Sequence, residues 1–282
     1  MKAGKKKAAW VGVFIMSMAV IAATAVPSAA QDKVHEFKIG PSISWINYEE
    51  PGLMEQDGMM YGFFYDYMFN PRNSTPLANA LFLRINGHTE FGQVDYTSTG
   101  TGSMDDIDDY MTEIRAAIGG NVDINDQLVV MPYLGIGYRY LNDDSSGMVT
   151  STGHFGYERE SKYIYLPLGV LAKTSLENGW ALVANIELDI FLDGEQQSHL
   201  EDVSSAYNTI ENDQNEGYGV RASVQFSKSS EKFDFLVEPF IRYWDIEDSR
   251  TAVVTCGGTP CALGYEPQNE STEIGVKFGA KF

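Results

Sequence analysis

The densest cluster of chemically useful side chains in this 282-residue sequence is a run of carboxylates. Asp105, Asp106, Asp108 and Asp109 lie within five consecutive residues, and Asn142-Asp143-Asp144 forms a second, smaller cluster. Closely spaced carboxylates in a loop are good oxygen ligands for calcium. Neither cluster has the spacing of an EF-hand loop, so the pattern favours a solvated acidic loop and keeps calcium binding as a hypothesis.

The histidines give a weaker signal for catalysis. His88 and Glu90 lie two residues apart on one face of a predicted strand, a spacing that suits a proton-handling pair. Such a histidine is more often one member of a buried polar network. A membrane-embedded hydrolase would need Asp, His or Ser together at one rim, and the candidates Asp193, His199 and His154 are scattered along the chain. The sequence therefore predicts neither a catalytic site nor a cofactor.

The two cysteines, Cys256 and Cys261, lie in one polar segment, Cys-Gly-Gly-Thr-Pro-Cys. In an oxidising compartment this spacing favours a small disulfide ring. A metal site would need further Cys or His ligands nearby, and this segment offers none.

Residues 1–30 have the pattern of a signal peptide. A cluster of four lysines between Lys2 and Lys7 precedes an uncharged run, Ala8 to Val26, and Ser28-Ala29-Ala30 offers small residues at a cleavage site. An uncleaved anchor is the alternative, because the apolar run is long. We therefore expect residues 31–282 to form the mature domain.

The mature chain is strongly acidic. Four of the 20 basic residues lie in residues 1–30, so 16 remain against 39 acidic residues, a net charge of −23. Such a chain would be repelled by the phosphates of nucleic acid, which excludes that class of partner.

The strongest structural signal is an alternation of apolar and polar residues. In the last segment Ile274, Val276, Phe278, Ala280 and Phe282 alternate with Gly, Lys and Glu, which places the two sets on opposite faces of a strand. The same pattern occurs in nine earlier segments. Their apolar sets begin at Phe37, Met59, Leu81, Tyr110, Val130, Tyr163, Trp180, Tyr218 and Phe233. The segment from Tyr163 to Ala172 is apolar on both faces, so its register stays open.

Strand length and aromatic positions favour a membrane barrel over a soluble sandwich. The segments are long enough to cross a bilayer when tilted, aromatic residues cluster near the ends of the apolar stripes, and the strand count is even. Short links at 125–127, 173–179 and 227–232 alternate with long ones at 49–58, 95–109, 142–161, 193–216 and 245–270. The link from Pro71 to Asn79 is long for a turn. We predict an all-β fold: a single antiparallel up-and-down transmembrane β-barrel of about ten strands with long external loops.

The C-terminal strand carries a family resemblance. It ends in Phe282. At the position where the usual outer-membrane assembly signal has glycine, this chain has Lys277, with Gly275 and Gly279 two residues to either side. Across residues 36–282 the chain resembles the small outer-membrane barrels of the OmpA/Opa-like group, including stretches such as 48–52 and 137–141. The resemblance implies a bacterial outer-membrane location, contact with lipid and lipopolysaccharide, and recognition by the barrel assembly machinery. It carries over no active site. The ten-stranded omptin proteases carry an Asp-His couple at the outer rim, and no matching Asp-x-His pair occurs here.

The inward positions of the predicted strands carry eight charges of each sign. The basic set is Lys38, Arg84, Arg115, Arg139, Arg221, Arg242, Lys277 and Lys281; the acidic set is Asp66, Glu90, Glu113, Glu187, Asp189, Asp234, Glu238 and Glu273, with His88 among them. Balanced charges in a narrow barrel should pair with each other, because an unpaired buried charge is costly. We expect a salt-bridged lumen, with a narrow water channel as the alternative.

The five long links hold 25 of the 39 acidic residues, with Arg159 and Arg250 as their only basic residues. This charge keeps loops solvated, and it could also steer a cationic solute or partner to the barrel mouth. The leading hypothesis is a non-enzymatic outer-membrane barrel with a structural or surface-interaction role and an unidentified external ligand. The alternatives are a narrow cation-preferring channel and a membrane-embedded hydrolase.

Overall fold

The computed structural model describes residues 34–71 and 81–282. The predicted signal peptide and most of the link from Pro71 to Asn79 lie outside these residues. The chain forms strands β1 (His35–Glu50), β2 (Met54–Phe69), β3 (Leu81–Ser98), β4 (Gly102–Gly120), β5 (Val122–Asp123), β6 (Leu128–Asp144), β7 (Glu158–Ser175), β8 (Trp180–Ser198), β9 (Ile210–Gln214), β10 (Gly217–Lys228), β11 (Asp234–Ile246), β12 (Ala252–Cys256), β13 (Thr259–Gly264) and β14 (Asn269–Lys281). Single 3-10 turns occur at Glu177–Gly179 and Leu200–Asp202. Among the described residues no helix is long and apolar enough to cross a membrane.

Ten of the strands close into an antiparallel barrel in the order β1-β2-β3-β4-β6-β7-β8-β10-β11-β14. The last strand pairs with the first from Lys38–Lys281 to Glu49–Glu270, which leaves the barrel without a free edge. The predicted fold class and the count of ten strands are confirmed. The remaining strands extend or cover the barrel: β9 lengthens the sheet beside β8, and β12 pairs with β13 outside it.

The barrel exposes an apolar band bounded by aromatic side chains. Exposed residues such as Ile85, Ile136 and Leu188 form the band. Its outer border carries Trp45, Phe91, Tyr110, Tyr138, Tyr218 and Tyr243, and its inner border carries Phe37, Trp180, Phe235 and Phe282. This is the interfacial girdle pattern of a transmembrane barrel. We take the segment between the two borders as the membrane-spanning part.

Two of the predicted external loops are largely strand. β1 and β2 pair as far as Glu50–Met54 around a three-residue turn, and β3 and β4 pair as far as Ser98–Gly102. Strands of 16 to 19 residues on this side therefore exceed the roughly 9–11 residues that a bilayer requires. Outside the membrane both faces of a strand can be polar, so the alternation that identifies strands disappears while backbone pairing continues. The barrel thus has a folded outer extension.

The register of β7 follows from contacts across the lumen. Tyr163 and Tyr165 point inward and are buried, whereas Ile164, Leu168 and Val170 face the membrane. A β-bulge lies between Ile164 and Tyr165, where the pairing with β8 shifts. Sequence alternation alone could not choose this register, because both faces of the segment are apolar.

Candidate functional site

The lumen near the inner end of the barrel is bridged by ion pairs between neighbouring strands. Asp66 on β2 accepts hydrogen bonds from Lys38 Nζ at 3.3 Å and from Arg84 Nε and Nη2 at 2.9 Å each. Lys277 Nζ on β14 donates to Glu238 on the neighbouring strand β11, at 3.1 Å. These pairs follow from the strand register, because their residues are cross-strand or diagonal neighbours.

The middle of the lumen is crossed by longer-range contacts centred on Arg221. This β10 guanidinium donates to both oxygens of Glu113 on β4, at 2.6 and 2.7 Å, and also contacts Asp189. Arg115 Nη1 lies 2.5 Å from Glu187 Oε1. The carboxylates and Arg221 are buried, and this network spans the barrel interior between β4 and β10.

A second cluster lies beside it and contains the His88–Glu90 pair. Arg242 Nη1 lies 2.9 Å from His88 Nε2 and 2.7 Å from Glu273 Oε2. The two oxygens of Glu90 accept hydrogen bonds of 2.8 Å from Ser42 and Ser44.

His88, Glu90 and Glu273 are the one group of three His, Cys, Asp or Glu side chains in the described chain whose candidate ligand atoms all lie within 4.8 Å. Arg242 already contacts His88 and Glu273, so its guanidinium charge would repel a divalent cation bound to this group. The arrangement therefore favours a structural polar network over metal binding or proton transfer to a substrate.

Towards the outer end an aromatic layer replaces the ion pairs. Tyr163, Tyr165, Phe191 and Trp244 pack together, with Tyr165 and Trp244 edge to face at 5.0 Å between ring centroids. The buried guanidinium of Arg139 lies 5.4 Å from the Trp244 ring and its Nη2 lies 3.6 Å from Met111 Sδ. Among the ion pairs of the described residues none involves Arg139. The Trp244 ring therefore gives this guanidinium a cation–π contact.

Arg159 lies above the aromatic layer, in the outer extension, where it contacts two buried glutamates. Its Nη2 donates to Glu50 at 2.8 Å and also contacts Glu266, while Tyr48 donates to Glu266 at 2.9 Å. Burial raises the pKa of the Glu266 carboxyl above its ordinary value. This cluster joins β1 and β7 to the segment that precedes β14.

The four aspartates of the calcium hypothesis do not converge. Asp105, Asp106 and Asp108 are exposed on the extension, and Asp106 adopts a left-handed backbone with φ of 59° next to an irregularity in the β3–β4 pairing. Asp109, by contrast, pairs across strands with Asp143 on β6, just outside the aromatic border. Burial and the neighbouring Asp143 carboxylate raise the pKa of Asp109 to about 8, and burial raises that of Asp143 to about 6. The geometry gives no support to a calcium site at these four residues.

The remaining candidates lie apart. Cys256 and Cys261 form a disulfide that closes the β12–β13 hairpin. His199 Nδ1 lies 3.2 Å from Glu201 Oε1, and His154 Nδ1 lies 3.0 Å from the hydroxyl of Thr152. Asp193 lies on β8 opposite Ile164. No catalytic grouping of these three residues is present in the described part of the chain.

The structure places the predicted lumen residues Arg84, His88, Glu90, Glu113, Arg115, Arg139, Glu187, Asp189, Arg221, Glu238 and Arg242 inside the barrel. Sequence reasoning missed the role of Tyr163, Tyr165 and Trp244 as an inner layer. It also assigned Arg159 and Glu266 to solvated loops. The alternation of β11 could have identified Trp244 as inward, because Tyr243 and Ile241 face the membrane.

Comparison with known proteins fixes the family. The sequence model of the outer membrane protein beta-barrel domain matches residues 16–226. The chain belongs to this family. It is therefore an integral β-barrel protein of the bacterial outer membrane, as the girdled apolar band requires.

The solved structures that this chain resembles are distant in sequence. The outer membrane protease OmpT from Escherichia coli is 12% identical, with a TM-score of 0.57 over 91% of this chain and 98% of that one. OprG from Pseudomonas aeruginosa is 12% identical, with a TM-score of 0.36 over 89% and 97%. Ail from Yersinia pestis is 11% identical, with a TM-score of 0.32 over 89% and 100%. A search of curated protein sequences finds no match. Likenesses at this identity concern the fold alone.

Proposed function

We propose that this outer-membrane barrel is a non-conducting, non-enzymatic scaffold that presents a folded acidic surface outside the cell. The observation that carries the proposal is the occupied lumen. Arg221 reaches from β10 to Glu113 on β4, two strands that are not neighbours in the barrel, and this contact across the lumen supports closure at mid-height. Side chains fill an eight-stranded barrel, and ten strands add little width.

The outer extension supports the surface role. The five outer segments carry 25 of the 39 acidic residues of the chain, and paired strands that continue beyond the membrane present 19 of them. Recognition sites are often placed on loops that a rigid scaffold positions. A dense negative field at the mouth also raises the local concentration of cationic partners.

A cation-preferring channel is the second candidate, because cavities are present at both ends of the lumen. The inner one has a volume of about 60 Å³ and is lined by Lys38, Arg84, Arg115 and other basic side chains. Such a lining would repel a cation that arrived from the outer end. The ion-pair network also lies between the two cavities, so the structure favours a closed lumen.

Conductance of the refolded mature protein in a planar bilayer tests the proposal, compared in KCl and NaCl. We expect no steady current steps from protein that shows heat-modifiable migration, the sign of a folded barrel. A porin inserted under the same conditions serves as the positive control. Steady, cation-selective current steps would contradict the scaffold proposal and favour the channel.

OmpT is a protease, which makes enzyme activity worth testing even though 12% identity carries only the fold. We expect no turnover of peptide or ester substrates by the folded chain. Activity that disappears in His199→Ala or His154→Ala would overturn the non-enzymatic assignment.

Export and assembly belong to the same proposal. Residues 1–30 act as a signal peptide, so N-terminal sequencing of the outer-membrane form should begin at Gln31. Phe282 contributes to recognition by the barrel assembly machinery, and lipid with lipopolysaccharide surrounds the apolar band. Full-length protein that retained Lys2 in the membrane would contradict the cleavage.

A further inference from the structure

The outer extension encloses a cavity of about 230 Å³. Its walls come from β1, β2, β3, β4, β6 and β7, from the segment at 145–157 between β6 and β7, and from the segment at 265–267. An apolar cavity of about 150 Å³ holds a benzene molecule, so by the same ratio this one encloses roughly nine non-hydrogen atoms, and a slightly larger ligand extends through its opening.

The charges around this cavity do not balance. Three carboxylates line it, from Glu50, Asp143 and Glu266. Arg159 is the one Lys or Arg among its lining residues, and His154 is the other basic side chain there. Arg159 is engaged with Glu50 and Glu266 through one nitrogen, while Asp143 has the amide of Gln56 as its hydrogen-bond donor. A surplus of buried negative charge is costly unless a cation compensates it. The raised pKa of Asp143 is a consequence of the same burial.

The rest of the lining combines polar side chains, among them Gln56, Thr101 and Ser145, with apolar and aromatic ones. Met104 and Ile107 are buried at the base, where they belong to a hydrophobic cluster that Tyr96 packs against. Phe155 and Tyr265 at the opening are 58% and 52% exposed, although both line the cavity. Aromatic faces combined with carboxylates recognise alkylated ammonium groups.

A metal ion fits this site less well than an organic cation. A dication needs several oxygen atoms converging at bonding distance. The carboxylates of the cavity are absent from the groups of candidate ligands within 4.8 Å that the described residues form. An anion would face the surplus of carboxylates.

We propose that this cavity binds a small organic monocation, with its ammonium group near Glu50, Asp143 and Glu266. Its apolar part lies against Met104, Ile107 and the aromatic side chains of the opening. This inference rests on the surface role proposed above and names the class of ligand that the surface would bind. It does not depend on whether the lumen conducts, so binding and conductance experiments can fail separately.

Isothermal titration of the folded protein in detergent micelles tests the proposal with benzyltrimethylammonium as the probe. Neopentylbenzene has the same shape without the charge, and benzenesulfonate has the opposite charge. We expect saturable one-to-one binding of the cation and none of the other two. High salt should weaken it, because the attraction is electrostatic.

Two isosteric variants locate the site. Asp143→Asn removes one cavity carboxylate and should weaken binding about tenfold or more. Asp144→Asn is the matched control, because Asp144 is exposed and does not line the cavity; its affinity should stay within about twofold, as expected for a screened surface charge. Both should retain heat-modifiable migration.

Absence of saturable binding by the unmodified chain would overturn the proposal, as would equal binding of neopentylbenzene or unchanged affinity in Asp143→Asn. Calcium binding that competes with the probe and is lost in Asp143→Asn would show that the cavity binds a metal ion instead of an organic cation.

Discussion

Replacement of Arg221 by methionine tests whether the lumen network holds the barrel together. Arg221 neutralises Glu113 through two hydrogen bonds of 2.6 and 2.7 Å and contacts Asp189, and all three side chains are buried. Methionine keeps much of the apolar stem of arginine but leaves both Glu113 and Asp189 without this guanidinium. Removal of one partner from a buried ion pair costs about 3–5 kcal/mol, so we expect a loss of that size in the free energy of unfolding.

The structure supplies a matched control and a rescue. Arg250 lies 4.0 Å from Asp213, with side chains 72% and 67% exposed, so Arg250→Met should cost less than about 1 kcal/mol. In the double variant Arg221→Met with Asp189→Leu one of the two uncompensated carboxylates is gone, and Glu113 keeps Arg115 Nε at 3.4 Å; replacing a buried pair by apolar side chains is often neutral. We expect the double variant to recover at least about half of the loss, which is a coupling that a double-mutant cycle measures.

Denaturant unfolding of the detergent-folded protein provides the assay, with tryptophan fluorescence as the signal. Trp244 is a suitable reporter because its ring lies 5.6 Å from the Arg221 guanidinium. If Arg221→Met costs no more than Arg250→Met, or if the double variant loses the sum of the single changes, the reasoning about the buried network is wrong.

Two further predictions concern stability. Since burial and the Asp143 carboxylate raise the pKa of Asp109 to about 8, the folded chain holds this proton more tightly than the unfolded chain. Its contribution to stability is full below about pH 4 and is lost as the pH rises towards 8. Asp109→Asn should therefore flatten the fall in melting temperature between about pH 4 and pH 8, and an unchanged slope would contradict this. The second prediction concerns Gly137, where a Cβ atom would overlap the ring of Tyr165. Gly137→Ala should destabilise the barrel by about 1–3 kcal/mol in denaturant unfolding. Gly100→Ala, whose nearest neighbour would be 4.0 Å away, should change stability by less than about 0.5 kcal/mol; equal effects would refute the packing argument.

The sequence by itself determined the faces of the strands. A period of two assigns each side chain to one face whatever strand lies beside it, so residues such as Ile85 and Ile136 could be placed in the membrane, and Arg84 and Arg221 in the lumen. The same alternation, with its aromatic borders and even count, was enough to predict a ten-stranded barrel. It failed in β7, where both faces are apolar, and beyond the membrane, where both can be polar.

Tertiary structure alone decided which inward groups meet. Arg221 and Glu113 are 108 residues apart in sequence, and their contact exists because barrel closure brings β4 and β10 to opposite sides of a narrow lumen. Closure also turns the predicted loops into an extension and brings Glu50, Asp143 and Glu266 around one cavity. Local pattern cannot supply these groupings, because they depend on curvature and strand order, which involve every strand at once.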